Sequence, residues 1–482
     1  MLCEHFGRCG GCTYLDIPYN EELTEKRRAL AETMGDFADC IGEVRPAPPC
    51  GGQLRGHTVQ ADEPSRSHIA GNELNSASAL QAPVGYRNKM EFAFGDEGAN
   101  SLLAVGIRKK RSFYEVATPY NCILVPEDFK KIAEKTVSFF REKNETFFHR
   151  KKHTGALRHL VLRRGENTGE ILVLLSTASA LQANLDEFVA ELLAIDLDGE
   201  IVGIMRAIND GVADAVKSEN VEILHGRDYY YDELQFSPEV SSQPCSETGS
   251  QVARRLRFKI SQFSFFQTNT KGAEALYSIV REFASEGNSQ RSMDASQAQI
   301  FAEAQEPSDI PLQKKPHLAL DLYCGTGTIA QIIAPDFEKV IGVEIIEEAV
   351  VAAKENATAN GITNCEFFAG DAFEVLQALP YANGNSSNAS SCRDASKPHS
   401  DVACNFSTII VDPPRDGLSP KALAHIVALG APRVVYVACK PKSLARDLPT
   451  FIDAGYALEK IEAVDMFPRT PHLECVALLR RG

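Results

Sequence analysis

No apolar run in this 482-residue chain approaches the roughly 20 residues that a membrane-crossing helix needs, because charges or turn residues cut every hydrophobic stretch within about ten positions. No membrane association is expected. Cysteine is too dilute, at 13 residues, for a disulfide-stapled secreted module, and the stretch after Met1 lacks the basic and apolar segments of a signal peptide. A reducing cytoplasm is the expected home. Net positive charge is missing as well: 50 Lys and Arg stand against 65 Asp and Glu, giving −15. That balance argues against a protein that coats nucleic acid non-specifically, but leaves RNA open as a substrate. No internal repeat is visible.

At 44% hydrophobic and 24% charged residues, the chain has the make-up of a globular protein of two or three domains. Three stretches, about 51–83, about 284–315 and about 382–405, are rich in Ser, Asn, Gly, Ala and Gln and poor in aromatics. They bury too little apolar area to offset the entropy of ordering, and are expected to be flexible surface insertions. Around them the chain divides into a cysteine motif (1–15), a helical segment (16–50), a central block (84–255) and a C-terminal block (256–482). The central block has strand-like runs such as Leu160–Leu162 and Ile171–Leu175. From Arg108 to Arg164, fifteen Lys and Arg face six Asp and Glu. This local excess reads either as a solvated face or as a phosphate-contacting surface.

The C-terminal block alternates strand and helix. His317–Leu322, Val340–Val343, Thr408–Val411 and Val434–Val437 are short apolar runs. Ile329–Ile333 and Glu347–Asn360 read as helices. The alternation predicts an α/β fold, a parallel sheet covered by helices, with ligands at the carboxyl ends of its strands. At the first such end stands Asp321-Leu322-Tyr323-Cys324-Gly325-Thr326-Gly327-Thr328, a glycine-bearing turn that opens a helix. Glu344 ends the second strand, where a nucleotide ribose presents its hydroxyls, and Asp371 follows the third near the place of an adenine amino group. The series closes with Asp412-Pro413-Pro414-Arg415. Together these motifs look like the S-adenosylmethionine site of a class I, Rossmann-like methyltransferase. The turn by itself would also suit an NAD-dependent dehydrogenase, with Ala330 at the third glycine position.

Two further residues carry reactive chemistry. Cys439 leaves a strand beside Lys440 and ahead of a helix, a setting that favours thiolate, although a buried structural cysteine is the competing reading. Glu474 precedes a final apolar strand, where it is either a desolvated general base or a carboxylate paired with a nearby arginine. Cys3, Cys9 and Cys12 lie so close that they suggest a metal or cluster site, and their spacing does not separate zinc from iron–sulfur.

The chain resembles the RNA uracil-5 methyltransferases. The resemblance rests on Phe265-Phe266-Gln267-Thr268-Asn269, Asp321-Leu322-Tyr323-Cys324-Gly325, Asp412-Pro413-Pro414-Arg415, Val437-Ala438-Cys439-Lys440-Pro441, Leu444-Ala445-Arg446-Asp447-Leu448 and His472-Leu473-Glu474. The central block adds Gly155–Leu160 and Thr168-Gly169-Glu170. The resemblance implies S-adenosylmethionine as cofactor, Gln267, Tyr323, Thr328, Glu344, Asp371 and Asp412 around the cofactor and uracil, Cys439 as nucleophile and Glu474 as base. Carbon 5 of uracil is a poor nucleophile, so a thiolate must first add to carbon 6, and a base must later remove the carbon-5 proton. A uracil in folded RNA must leave its stack to be reached, and Phe265 and Phe266 are either supports for the displaced base or core.

Within the same resemblance Cys122 is the fourth thiolate of a [4Fe-4S] cluster with Cys3, Cys9 and Cys12, and Cys40 and Cys50 are its substitutes. Such a cluster would stabilise the fold and position RNA. Lys440 and Thr328 depart from the family pattern, which often has Asn after the nucleophile and Asn or Gln at the second position. The cysteine motif starts at residue 3, so no N-terminal RNA-binding β-barrel is expected. The implied substrate is 23S ribosomal RNA, with transfer RNA as the alternative, and the implied enzyme is a monomer without an obligate protein partner. A non-catalytic RNA-binding or ribosome-assembly factor is the remaining reading.

Overall fold

A computed structural model describes residues 3–49, 81–98, 101–149, 151–212, 216, 220–236, 254–286, 317–378 and 406–482. The three expected insertions lie almost wholly outside the described residues, as does Cys50.

The chain forms two compact units. Residues 1–24, 48–230 and 468–470 make the first, and residues 25–47, 231–467 and 471–482 the second. The segment expected to be helical holds helix α1 (Tyr19–Met34), a 3-10 turn (Gly35–Cys40) and then strand β1 (Ile41–Pro46).

In the first unit, strands β2 (Lys89–Asp96), β3 (Leu103–Arg108), β4 (Val116–Ala117), β5 (Leu157–Arg164), β6 (Glu170–Thr177), β7 (Glu200–Ile208) and β8 (Asn220–Gly226) form one sheet in the order β4-β3-β2-β5-β6-β7-β8. Helix α2 (Glu127–Glu142) precedes β5, and helix α3 (Leu185–Leu193) is the crossover between β6 and β7. That crossover explains why this pair alone in the sheet runs parallel. Phe92, Phe94, Leu160, Leu162, Val173 and Leu175 from the strands meet Phe129, Phe139, Phe140 and Phe188 from the helices in one apolar core. Alternate residues along each strand share the face that packs on these helices, and β5 and β6 are buried along nearly their whole length.

The second unit adds the pair β9 (Tyr229–Phe236) and β10 (Arg254–Ser261), then helix α4 (Thr270–Ser285). Ala284 is buried in that helix, so the polar stretch expected from about 284 begins after it. The remaining elements are β11 (Leu318–Leu322), α5 (Thr328–Ile333), β12 (Lys339–Glu344), α6 (Glu347–Ala359), β13 (Cys365–Ala369), α7 (Ala372–Ala378), β14 (Phe406–Val411), α8 (Pro420–Leu429), β15 (Arg433–Ala438), α9 (Pro441–Asp453), β16 (Tyr456–Asp465) and β17 (Glu474–Arg481). Eight strands pair in the order β1-β16-β17-β15-β14-β11-β12-β13, with only β17 antiparallel to its neighbours. The central strands are buried on both faces, as their unbroken apolar runs require. This is the expected α/β class I methyltransferase fold.

Candidate active site

Parallel pairing brings the functional residues to one edge. Tyr323 follows β11, Glu344 ends β12, Asp371 follows β13, Asp412 follows β14 and Cys439 follows β15. All therefore stand at the carboxyl edge of the sheet, and the antiparallel β17 begins at that edge with Glu474. Ala438 faces Cys475 in the β15–β17 register, so one further step sets Cys439 across from Glu474.

The glycine-bearing turn is built around Asp321. Its buried carboxylate accepts the Ala330 N–H at 2.9 Å, holding the first turn of α5 against the end of β11. Gly327 has φ +74°, and a Cβ there would stand 2.7 Å from the Phe367 ring. Tyr323 also takes a left-handed φ of +64°, an uncommon conformation for a bulky residue and one concentrated at functional sites. Burial, Asp371 and Glu344 raise the Tyr323 hydroxyl pKa, which puts this ring near both acidic groups. Glu344 accepts Gly325 N–H at 3.1 Å through one oxygen, and Ile345 and Ile346 N–H at 2.8 and 3.1 Å through the other. Those contacts fix the orientation of the carboxylate. Thr328 is buried in the first turn of α5, 3.4 Å from the Thr326 hydroxyl. Asp371 accepts the Glu374 N–H at 3.3 Å and is exposed.

Asp412, Glu474, Cys439 and Arg415 form a cluster of titratable groups at this edge. Burial lifts the Asp412 carboxyl to about 7. Burial and then Asp412 raise Glu474 well above the ordinary carboxylate range, against a smaller opposite effect of Arg415. Glu474 is only 3% exposed. Burial, Glu474 and Asp412 push the half-buried Cys439 thiol up to about 11, and Arg415 opposes them. Lys440, expected to favour thiolate, instead lies 3.9 Å from Asp416, so the cation acting on the sulfur is Arg415. The resting thiol is protonated at neutral pH, beside two carboxyl groups whose raised pKa values make their ionised forms good proton acceptors.

Sequence reasoning missed Tyr277. This buried α4 residue hydrogen-bonds Gln267, and its hydroxyl is raised by burial, Asp412, Glu474 and Asp321. It thus joins Gln267, itself 8% exposed, to the reacting cluster. A tyrosine on the apolar face of an amphipathic helix carries no local signal of such a role. The phenylalanine pair divides: Phe266 is buried and packs near Phe258, whereas Phe265 is 71% exposed.

In the first unit, burial first and then Cys122, Cys9 and Cys3 raise the Cys12 thiol to about 12. Cys122 is raised by burial and, less, by Cys3 and Cys9. The four predicted thiols are therefore electrostatic neighbours, and their sulfur-only chemistry suits zinc or an iron–sulfur cluster. Among the described residues, however, no group of three or more His, Cys, Asp or Glu side chains stands ready to hold a metal ion. Cys40 belongs to the second unit, where its thiol faces the Leu458 carbonyl at 3.6 Å.

The basic stretch is not all surface. Arg158 and Arg163 are buried and Lys109 pairs with Glu115 at 3.2 Å, while Lys110, Arg111, Lys151 and Lys152 are exposed. Among the described residues no helix is long and apolar enough to cross a membrane.

A model of the tRNA (uracil-5-)-methyltransferase family matches residues 308–482. An uncharacterized RNA methyltransferase of Clostridium tetani is 36% identical over 479 residues, covering 99% of this chain and 83% of its own. Another, from Caldanaerobacter subterraneus, is 36% identical over 480 residues, covering 100% of this chain and 84% of its own. Among solved structures, the Pyrococcus abyssi tRNA (uracil-54, C5)-methyltransferase in complex with S-adenosyl-L-homocysteine aligns over 98% of this chain and 86% of its own, with TM-score 0.62 and 22% identity, and shares the fold. The chain belongs to the RNA uracil-5 methyltransferase family.

Proposed function

We propose that the protein methylates carbon 5 of a specific uridine in 23S ribosomal RNA through a covalent Cys439 adduct. The observation that carries this reading is the convergence of Cys439, Glu474 and Asp412 at one sheet edge beside the glycine-bearing turn. S-adenosylmethionine would lie along Gln267, Tyr323, Thr328, Glu344, Asp371 and Asp412, with Glu344 on the ribose and Asp412 at the reacting end. The exposed Phe265 supplies a face for a flipped uracil.

The Cys439 sulfur, once deprotonated, bonds carbon 6 and moves an electron pair onto carbon 5 as an enolate. Carbon 5 takes the sulfonium methyl group, releasing S-adenosylhomocysteine. Glu474 then accepts the carbon-5 proton, the ring double bond re-forms and the carbon–sulfur bond breaks. A dehydrogenase or a non-catalytic assembly factor has no use for this thiol and carboxyl pair.

The four sulfurs of Cys3, Cys9, Cys12 and Cys122 would hold a [4Fe-4S] cluster, with zinc as the alternative; the cluster would supply a structural tie, not electron transfer. Anaerobic purification followed by iron, sulfide and zinc analysis tests it, and stoichiometric zinc in colourless protein overturns the cluster. The enzyme would act in the cytoplasm as a monomer, a setting that agrees with the nine free cysteines among the described residues.

Mapping 5-methyluridine in ribosomal and transfer RNA from cells with and without the gene tests the substrate. Loss from 23S RNA supports the proposal. Loss confined to transfer RNA establishes the alternative, which the family model's description favours.

A further inference from the structure

The Leu444–Leu448 motif resembles the family pattern, yet none of the chemistry above uses it. The structure ties it to the loop that follows Asp412. Gly417 N–H donates to the Pro414 carbonyl at 2.7 Å and closes a turn around Arg415 and Asp416. Asp447, 2% exposed, receives this turn: its Oδ2 accepts Leu418 N–H at 3.0 Å and the buried Tyr436 hydroxyl at 2.8 Å. Its Oδ1 accepts Arg446 Nε at 2.8 Å, and Arg446 Nη2 donates to the Leu418 carbonyl at 3.0 Å. The Ser443 hydroxyl donates to the carbonyl of Arg415 itself at 2.9 Å. Gly417 has φ +77°, and a Cβ there would stand 2.6 Å from Arg446 Nη2 and 2.9 Å from Asp447 Oδ2. The turn therefore lies directly against the clamp.

We infer that Asp447 is a positioning residue: with Tyr436, Ser443 and Arg446 it clamps the turn after Asp412 so that the Arg415 guanidinium is held toward Cys439 and Glu474. Two of its three hydrogen bonds, those to Leu418 N–H and the Tyr436 hydroxyl, are buried and would leave unsatisfied groups if lost, so the carboxylate organises the loop rather than merely decorating a helix surface. The charged groups acting on Cys439 are Glu474 from β17 and Asp412 and Arg415 from the loop after β14, and Arg415 is the one that favours thiolate. Loosening the clamp takes that positive charge away from the thiol while leaving both carboxyl groups in place.

This inference rests on Cys439 being the nucleophile, so its test reads the thiol without RNA or methyl donor. Full-length protein is alkylated with iodoacetamide from about pH 7 to about pH 11, and modification of the Cys439 peptide is followed by mass spectrometry. For Asp447→Ala the alkylation rate at each pH below the midpoint is expected to fall about tenfold, the loss of thiolate that an upward shift of about one unit produces, as for Arg415→Gln. The double variant is expected to shift no further than either single one, because both act through the same guanidinium. An unchanged profile in a cooperatively melting Asp447→Ala protein overturns the inference, and so do additive shifts. Tyr436→Phe removes one donor at nearly constant volume; should Asp447→Ala not fold, its upward shift supports the inference and its unchanged profile overturns it. A failed methyl-transfer assay would count against the proposed function alone.

Discussion

Lys26 Nζ lies 2.6 Å from Asp465 Oδ1 with both side chains buried, tying α1 to the last residue of β16. The same ammonium donates to the Phe467 carbonyl at 3.3 Å, so it braces the start of the connection that leads to Glu474. Removing the ammonium deprives a buried carboxylate of its ion-pair partner. Lys26→Met is expected to lower the unfolding free energy by about 3–5 kcal/mol. Urea denaturation followed by circular dichroism measures this, and a loss below about 1 kcal/mol would class the pair with exposed ion pairs.

The two neighbouring phenylalanines should respond in opposite ways. Phe266 is core, so Phe266→Ala is expected to cost about 3–5 kcal/mol of stability. Phe265→Ala should leave stability within about 0.5 kcal/mol, as for other exposed positions, while slowing methyl transfer to RNA. Thermal melts and initial rates on RNA from cells lacking the gene separate the two effects. Equal rates for Phe265→Ala and the parent would remove Phe265 from the uracil site.

Glu344 is fixed by three backbone donors, which would preorganise it for the two ribose hydroxyls it is proposed to bind. A charge-assisted hydrogen bond contributes about 1.5–3 kcal/mol, so Glu344→Ala should raise the Kd for S-adenosylmethionine roughly tenfold to a hundredfold. Titration calorimetry checks this directly. An unchanged Kd would place the ribose elsewhere.

The pH dependence follows from the direction of the shifts. In the proposed mechanism Cys439 reacts as thiolate and Glu474 as carboxylate, and burial raises both pKa values. Methyl transfer should therefore rise from about pH 6 toward alkaline pH, without a plateau at the ordinary carboxylate range near pH 4–5. Single-turnover rates measured across that interval test it, and a rate that falls between pH 7 and pH 9 would be inconsistent with these roles.

The carboxyl-edge residues were legible because each follows an uninterrupted apolar run, and parallel pairing then has only one edge at which to collect them. The strand read at His317–Leu322 is Leu318–Leu322, and the helix read at Glu347–Asn360 is Glu347–Ala359. Strand β1 was not legible, since its partner Ile461 lies far along the chain and its own pattern has only two buried positions. The expected effect of Lys440 failed for a similar reason: sequence adjacency says nothing of where a long side chain points, and the arginine that acts on Cys439 comes from a different loop. Nor does composition reveal that Arg158 and Arg163 are interior, which takes part of the local positive excess away from RNA.

Trapping with RNA that carries 5-fluorouridine tests the central claim most directly, because fluorine at carbon 5 cannot leave as a proton and the adduct persists. Covalent catalysis by Cys439 requires a denaturation-stable protein–RNA complex, dependent on S-adenosylmethionine, whose crosslinked peptide contains Cys439 and which disappears in Cys439→Ala. A Cys439→Ala protein that methylated uridine at the parent rate, or a crosslink mapped to another residue, would contradict it.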